Sequence, residues 1–128
     1  MTEAEQSRTP EMDAALFRTM LFDFYGELLT DKQKEYFDLH YNEDLSLAEI
    51  AMGEGISRQG VWDIIRRAEE SMRRYEDKTG LVARFARSRT VIARAEEKLA
   101  RLQAETSGET AALARELRED LQELRHGI

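Results

Sequence analysis

The sequence predicts an all-α protein: a helix-turn-helix bundle with a long fourth helix and a C-terminal helical hairpin. Three observations carry this. No alternating run of β-branched residues with hairpin turns occurs anywhere. Helix-start signals recur along the chain, each followed by apolar residues at helical spacing. Residues 45–68, LSLAEIAMGEGISRQGVWDIIRRA, hold two such starts separated by a glycine turn.

Taken in order, residues 1–9 are polar and unpatterned, and read as a flexible N-terminus. A helix-turn-helix domain is expected over residues 10–80 and a helical extension or hairpin over 81–128. Thr9 and Pro10 offer a helix start, since proline suits a first turn whose N–H has no acceptor. From about Glu11 to Leu29 the residues Leu16, Phe17, Met20, Leu21, Phe24, Tyr25 and Leu28 cover a wide face, which predicts a helix lying in the core. Thr30 with Gln33 is a capping box opening a helix to about Tyr41.

Ser46 with Glu49 is a second capping box, so a short helix begins at Leu47. Gly53 and Gly55 lie where it must stop and the backbone turn, because glycine reaches positive φ without steric cost. Ser57 then caps the next helix. Ile50, Ala51, Ile56, Val61 and Ile64 fall where a helix-turn-helix needs its inward contacts. Ser57, Arg58, Gln59, Trp62, Asp63 and Arg66 are left outward, on the face that a DNA-binding unit offers to the major groove.

The fourth helix meets no stop before Gly80, since Val61, Ile65, Ala68, Met72 and Tyr75 continue the stripe. Its extra length must pack on the first helix or on a partner. Beyond it, Val82, Phe85, Ile92, Ala95, Leu99 and Leu102 predict one further helix, and Leu113, Leu117, Leu121 and Leu124 a last one. Thr106 with Glu109 offers a capping box at the Ser107–Gly108 turn. Two helices joined by so short a turn read as an antiparallel hairpin. Their narrow stripes suit a coiled-coil seam, so a homodimer is expected.

Composition narrows the function classes. The chain has 128 residues, one proline, seven glycines, no cysteine and a formal charge of -7. Disulfides and thiolate metal sites are excluded. No stretch is apolar enough to span a membrane, and no secretory signal opens the chain, so a cytoplasmic protein without membrane insertion is expected. Net acidity disfavours a free-standing nucleic-acid binder, whose affinity comes mainly from neutralised phosphates. The charge is uneven, however: residues 1–45 hold 4 basic and 11 acidic side chains, and residues 81–128 hold 9 and 8. Arg84, Arg87, Arg89 and Arg94 form the basic cluster, with the pairs Arg66–Arg67 and Arg73–Arg74 before it.

Catalytic constellations are not found. His40 and His126 are far apart, no carboxylate–histidine spacing resembles a metal site, and the glycines do not follow a strand as a phosphate loop would. A non-enzymatic protein is expected, with no cofactor, no metal and no small-molecule substrate. On the outward face, Arg58 and Gln59 stand near the helix N-terminus, where side chains reach base edges, and Arg66 is placed for phosphate. Asp63 would meet a phosphate wall with like charge. Trp62 fits a protein contact, an unpaired RNA base, or a place beneath the C-terminal hairpin. The basic cluster reads either as a solvated face or as an RNA phosphate site.

Residues 28–81, LLTDKQKEYFDLHYNEDLSLAEIAMGEGISRQGVWDIIRRAEESMRRYEDKTGL, closely resemble the YlxM family of small bacterial helix-turn-helix proteins. Leu28-Leu29-Thr30, Lys32-Gln33, Asp44-Leu45-Ser46-Leu47 and Ile56-Ser57-Arg58-Gln59-Gly60-Val61 carry the likeness, which extends over about residues 16–85. The resemblance implies a fold like region 4 of bacterial sigma factors. It also implies a link to the signal recognition particle, with its GTPase Ffh and its RNA as partners. On that reading the protein is an accessory or regulator of the particle; the alternative is a sequence-specific DNA-binding transcription regulator using Arg58, Gln59 and Arg66. A helical scaffold that binds only protein is a third possibility.

Overall fold

The computed structural model describes residues 12–127. They form α1 (Ala14–Tyr25), a 3-10 turn (Gly26–Leu28), α2 (Asp31–Tyr41), α3 (Leu47–Glu54), α4 (Arg58–Thr79), α5 (Leu81–Glu105) and α6 (Gly108–Gly127). The fold is all-α, and the chain divides into two compact units after Val82.

In the first unit, the helix starts are fixed by side chains that satisfy otherwise orphaned amides. Asp13 accepts the Leu16 N–H at 2.8 Å, so α1 starts at Ala14, later than the apolar pattern suggested. The proposed start at Thr9–Pro10 and the loose segment 1–9 lie outside the described residues. The buried face of α1 is also narrower than predicted. Phe17, Leu21 and Tyr25, spaced by four, enter the core, whereas Leu16, Phe24 and Leu28 are exposed. A helix packed along one side buries a single stripe, and aromatic content alone does not widen it.

The other starts follow the sequence. Thr30 with Gln33 and Ser46 with Glu49 form complete capping boxes for α2 and α3. Phe22 of α1 stacks on Phe37 of α2 with centroids 5.0 Å apart. The long α4 buries Val61, Ile65, Ala68, Met72 and Glu76. Its extra length packs on α1: Tyr25 lies 5.9 Å from Tyr75 by ring centroid, and the Arg18 guanidinium donates to Glu69 at 2.8 Å.

The second unit contains an antiparallel pair. Arg118 of α6 donates to Gln103 of α5 at 2.8 Å, and Arg125 stands 3.5 Å from Glu96. Ala83 and Ile92 of α5 and Ala114 of α6 are the buried apolar residues of this unit. One expectation fails here. Thr106 does not join Glu109 in a capping box; its hydroxyl donates back to the Leu102 carbonyl at 2.6 Å. Within the hairpin the leucine stripe of α6 stays open: Leu113, Leu117 and Leu124 are 44% to 58% exposed, while the small Ala114 is buried.

Candidate nucleic-acid interface

The helix-turn-helix turn is built from three residues between α3 and α4. Gly55 adopts φ 71°, the left-handed conformation that costs an L side chain steric strain. Its N–H and that of Ile56 both donate to the Ala51 carbonyl, at 2.9 and 3.2 Å, closing α3. Gly53, assigned from sequence to the same stop, is inside the helix. Ser57 accepts the Gly60 N–H at 3.0 Å and so starts α4.

One of the predicted inward contacts is corrected. Ile50, Ala51 and Val61 are buried and Ile64 packs half-buried against the core, but Ile56 is 40% exposed. Ile56 precedes the cap and lies over Gly60, outside the interior. Ile65 lies deeper than Ile64, in phase with Val61, Ala68 and Met72 as the sequence stripe predicts.

This local frame sets the outward face. Arg58, Gln59, Trp62 and Leu47 line an open groove of about 430 Å³. Leu47 was not singled out from the sequence, where it reads only as the first residue of a helix; its partner across the turn is visible only in three dimensions. Trp62 is 36% exposed, so part of the indole faces the groove. Asp63 accepts from the Gln59 amide at 3.0 Å and stands 3.8 Å from Arg66, which donates to Glu70 at 2.8 Å. The cationic face therefore carries its own acidic partners. Arg58 and Arg67 are exposed and make no ion pair among the described residues.

Further along α4 the predicted basic pairs separate. Arg73 lies against Phe17, 5.2 Å from the ring centroid, and donates to Glu69 at 3.1 Å. Arg74 is exposed and donates to Ser71 at 3.1 Å. Glu69 thus joins Arg18 and Arg73. Burial alone would raise its pKa, but the hydrogen bonds from Arg18 and Arg73 outweigh this and hold it below the usual carboxylate range.

On α5, Arg84, Arg87, Arg89 and Arg94 are all exposed, but they do not form one patch. At about 100° per residue, Arg84, Arg87 and Arg94 share one side while Arg89 points elsewhere. The Arg89 guanidinium lies 5.5 Å from the Phe85 ring centroid. Lys98 and Arg101, missed in the sequence, continue the row of Arg87 and Arg94. The seven-residue spacing of Arg87, Arg94 and Arg101 was the available signal, obscured by the acidic pair Glu96–Glu97.

His40 is half-buried with Nδ1 2.8 Å from the Leu45 carbonyl oxygen, which makes Nδ1–H the donor and gives the ring a structural contact. Among the described residues no group of three or more acidic or histidine side chains is placed to hold a metal ion. No described helix is long and apolar enough to cross a membrane.

Comparison with known proteins gives a consistent set. The model of the UPF0122 family, helix-turn-helix proteins of the YlxM / p13 kind, matches residues 12–111. The chain is 57% identical over 70 residues to a UPF0122 protein of Caldanaerobacter subterraneus subsp. tengcongensis, covering 55% of this chain and 60% of the relative. A UPF0122 protein of Thermoanaerobacter pseudethanolicus is 56% identical over 72 residues, 56% of this chain and 62% of the relative. The match therefore spans about three fifths of the length of these two relatives. For a UPF0122 protein of Geobacillus kaustophilus it is 46% identical over 99 residues, 77% of this chain and 89% of the relative. The family match continues past Phe85, where the sequence resemblance faded, to the first residues of α6.

Proposed function

This chain belongs to the UPF0122 family of YlxM / p13-like helix-turn-helix proteins, and on that premise we propose that it is a non-enzymatic accessory of the signal recognition particle, binding the particle RNA, Ffh or their complex. The observation that carries the reading is the make-up of the outward face of α4. An indole open to a groove beside Arg58 and Gln59 suits a base that has left its stack, or a protein side chain. Asp63 and Glu70 on the same face oppose the continuous phosphate wall of a duplex. Arg84 and Arg87, exposed near the start of α5, form the further cationic surface we assign to RNA phosphates. The identity of the particle as partner rests on the family resemblance, and the cytoplasm is the compartment that follows from it.

A second reading is favoured by one specific observation. Arg58 and Gln59 stand exposed in the first turn of the second motif helix, where a helix-turn-helix reads base edges in the major groove. On that reading the protein is a sequence-specific transcription regulator.

Binding of the full chain to labelled particle RNA and to mixed genomic duplex, each at two salt concentrations with and without Ffh, separates the two. Preference for the RNA or its Ffh complex is expected. A preference for duplex that falls steeply with salt supports the regulator, and failure to bind any of these partners removes both readings.

A further inference from the structure

The C-terminal hairpin leaves an apolar face uncovered. Its exposed residues Leu102, Leu113, Leu117 and Leu124 obey one rule: each immediately precedes an inward residue of the pair. Those inward residues are Gln103, Ala114, Arg118 and Arg125. One step back along a helix turns the side chain by about 100°. Because α5 and α6 run antiparallel, the same step on both leads to the same side of the pair. The four apolar residues therefore form one surface. Its two margins differ in net charge: Arg94, Lys98, Arg101 and Glu105 border it on α5, and Glu116, Asp120 and Glu123 on α6. Arg94, Lys98, Arg101, Glu116 and Asp120 are all exposed, and none of them forms an ion pair among the described residues.

Register adds a second constraint. Seven positions separate Glu96 from Gln103, and seven separate Arg118 from Arg125, so the two polar bridges fix one antiparallel alignment. In it Arg101, two residues before Gln103, stands level with Asp120, two residues after Arg118. Two copies can bury such a face against each other by either of two twofold axes. An axis across the helices lays α5 on α5 and sets the basic margins together. An axis parallel to the helices lays α5 on the partner's α6 and keeps every height, so that Arg101 meets Asp120 of the partner subunit on both sides.

We propose that this face is the homodimer interface of the protein, forming a four-helix bundle about a twofold axis parallel to the helices. A second copy is the occupant that the charge pattern selects: Lys98 and Arg101 on one margin stand level with Glu123 and Asp120 on the other, and these two opposite-charge pairs outnumber the single like pair of Glu105 and Glu116. Leucines at the centre supply the area, and the margins choose the axis.

Light scattering and sedimentation equilibrium on the full chain at tens of micromolar test this. The wild-type chain sediments as a dimer, and Leu117→Asp as a monomer with helical circular dichroism retained. Arg101→Glu and Asp120→Arg, each placing like charges at both margins, raise the dimer Kd by about tenfold or more. Mixing these two variants in equal amounts recovers a mixed dimer, because each reversed margin then meets its complement. A monomeric wild type, including one that instead captures another protein, overturns the proposal. So does a dimer unchanged by Leu117→Asp, or charge-reversed variants that fail to recover on mixing; the latter comparison remains decisive should Leu117→Asp not fold.

Discussion

The Tyr25 hydroxyl donates to the Glu76 carboxylate at 2.6 Å inside the first unit, and the same carboxylate oxygen accepts the Val82 N–H at 2.9 Å. Glu76 is 3% exposed, so α1, the last turn of α4 and the first turn of α5 meet on one buried anionic oxygen. The chain reaches it through Gly80, whose φ of 64° ends α4 and turns Val82 back. Tyr25→Phe removes a donor and leaves this oxygen less well solvated. The expected loss is about 1–3 kcal/mol of unfolding free energy, read from urea denaturation. A change inside experimental error would show that the bond is dispensable.

Alkaline titration probes the same contact. Burial first, and then the hydrogen bond to Glu76, push the Tyr25 pKa up to about 12. An unfolded tyrosine ionises near pH 10, so the folded chain holds this proton more tightly. The contribution to stability is complete below about pH 10 and is lost as pH rises toward about 12. Denaturation curves across that window should fall more steeply for the wild type than for Tyr25→Phe.

Glu69 has the opposite sign. Its folded pKa is depressed because Arg18 and Arg73 favour the carboxylate, against the opposing effect of burial. Its stabilising contribution is present above the unfolded carboxylate pKa and disappears as pH falls through the folded value. Glu69→Gln should lower stability at neutral pH and flatten the acid limb of the stability curve. An unchanged acid limb would separate Glu69 from acid unfolding.

Two glycines in the motif should respond in opposite directions. Gly53 lies within α3 with open space around a would-be Cβ, so Gly53→Ala is expected to stabilise by about 0.5–1 kcal/mol. Gly55 holds positive φ, and Gly55→Ala should cost about 1–2 kcal/mol. Thermal melts of the pair, with Ser57→Ala as a lost cap of about 1 kcal/mol, check the turn residue by residue.

Arginines of the outward face differ in how free they are. Arg66 already donates to Glu70 and stands near Asp63, whereas Arg58 borders the groove without an ion pair among the described residues. Arg58→Ala is therefore expected to weaken nucleic-acid binding more than Arg66→Ala. It should also reduce the salt dependence of log K by about one. Equal effects of the two variants would place the contact elsewhere.

The sequence disclosed the parts of the fold that local chemistry encodes. Capping boxes at Thr30 and Ser46, the cap at Ser57 and the stop at Gly80 act over a few residues and can be read without tertiary context. Burial was less legible where it depended on which side of a helix finds a neighbour. Phe24, Leu16 and Ile56 look like core residues and are exposed. Glu76 and Glu69 were missed altogether. A carboxylate on a helix reads as solvent-facing until Tyr25 or Arg18, 51 positions away, is folded onto it. The outward set from Ser57 to Arg66 was recoverable because it is the complement of the buried stripe. The links from Gln59 to Asp63 and from Arg66 to Glu70 could be found from their four-residue spacing.

The distribution of aromatic side chains also divides the molecule optically. Its one tryptophan, Trp62, borders the candidate groove, and all four tyrosines, Tyr25, Tyr36, Tyr41 and Tyr75, belong to the core cluster of the first unit or pack against it. Selective excitation of the indole thus reports on the groove, while tyrosine emission follows that core. The second unit contains neither chromophore, yet contributes most of two long helices to the far-ultraviolet signal. Both emissions therefore arise in the first unit alone, whereas far-ultraviolet dichroism also registers the hairpin.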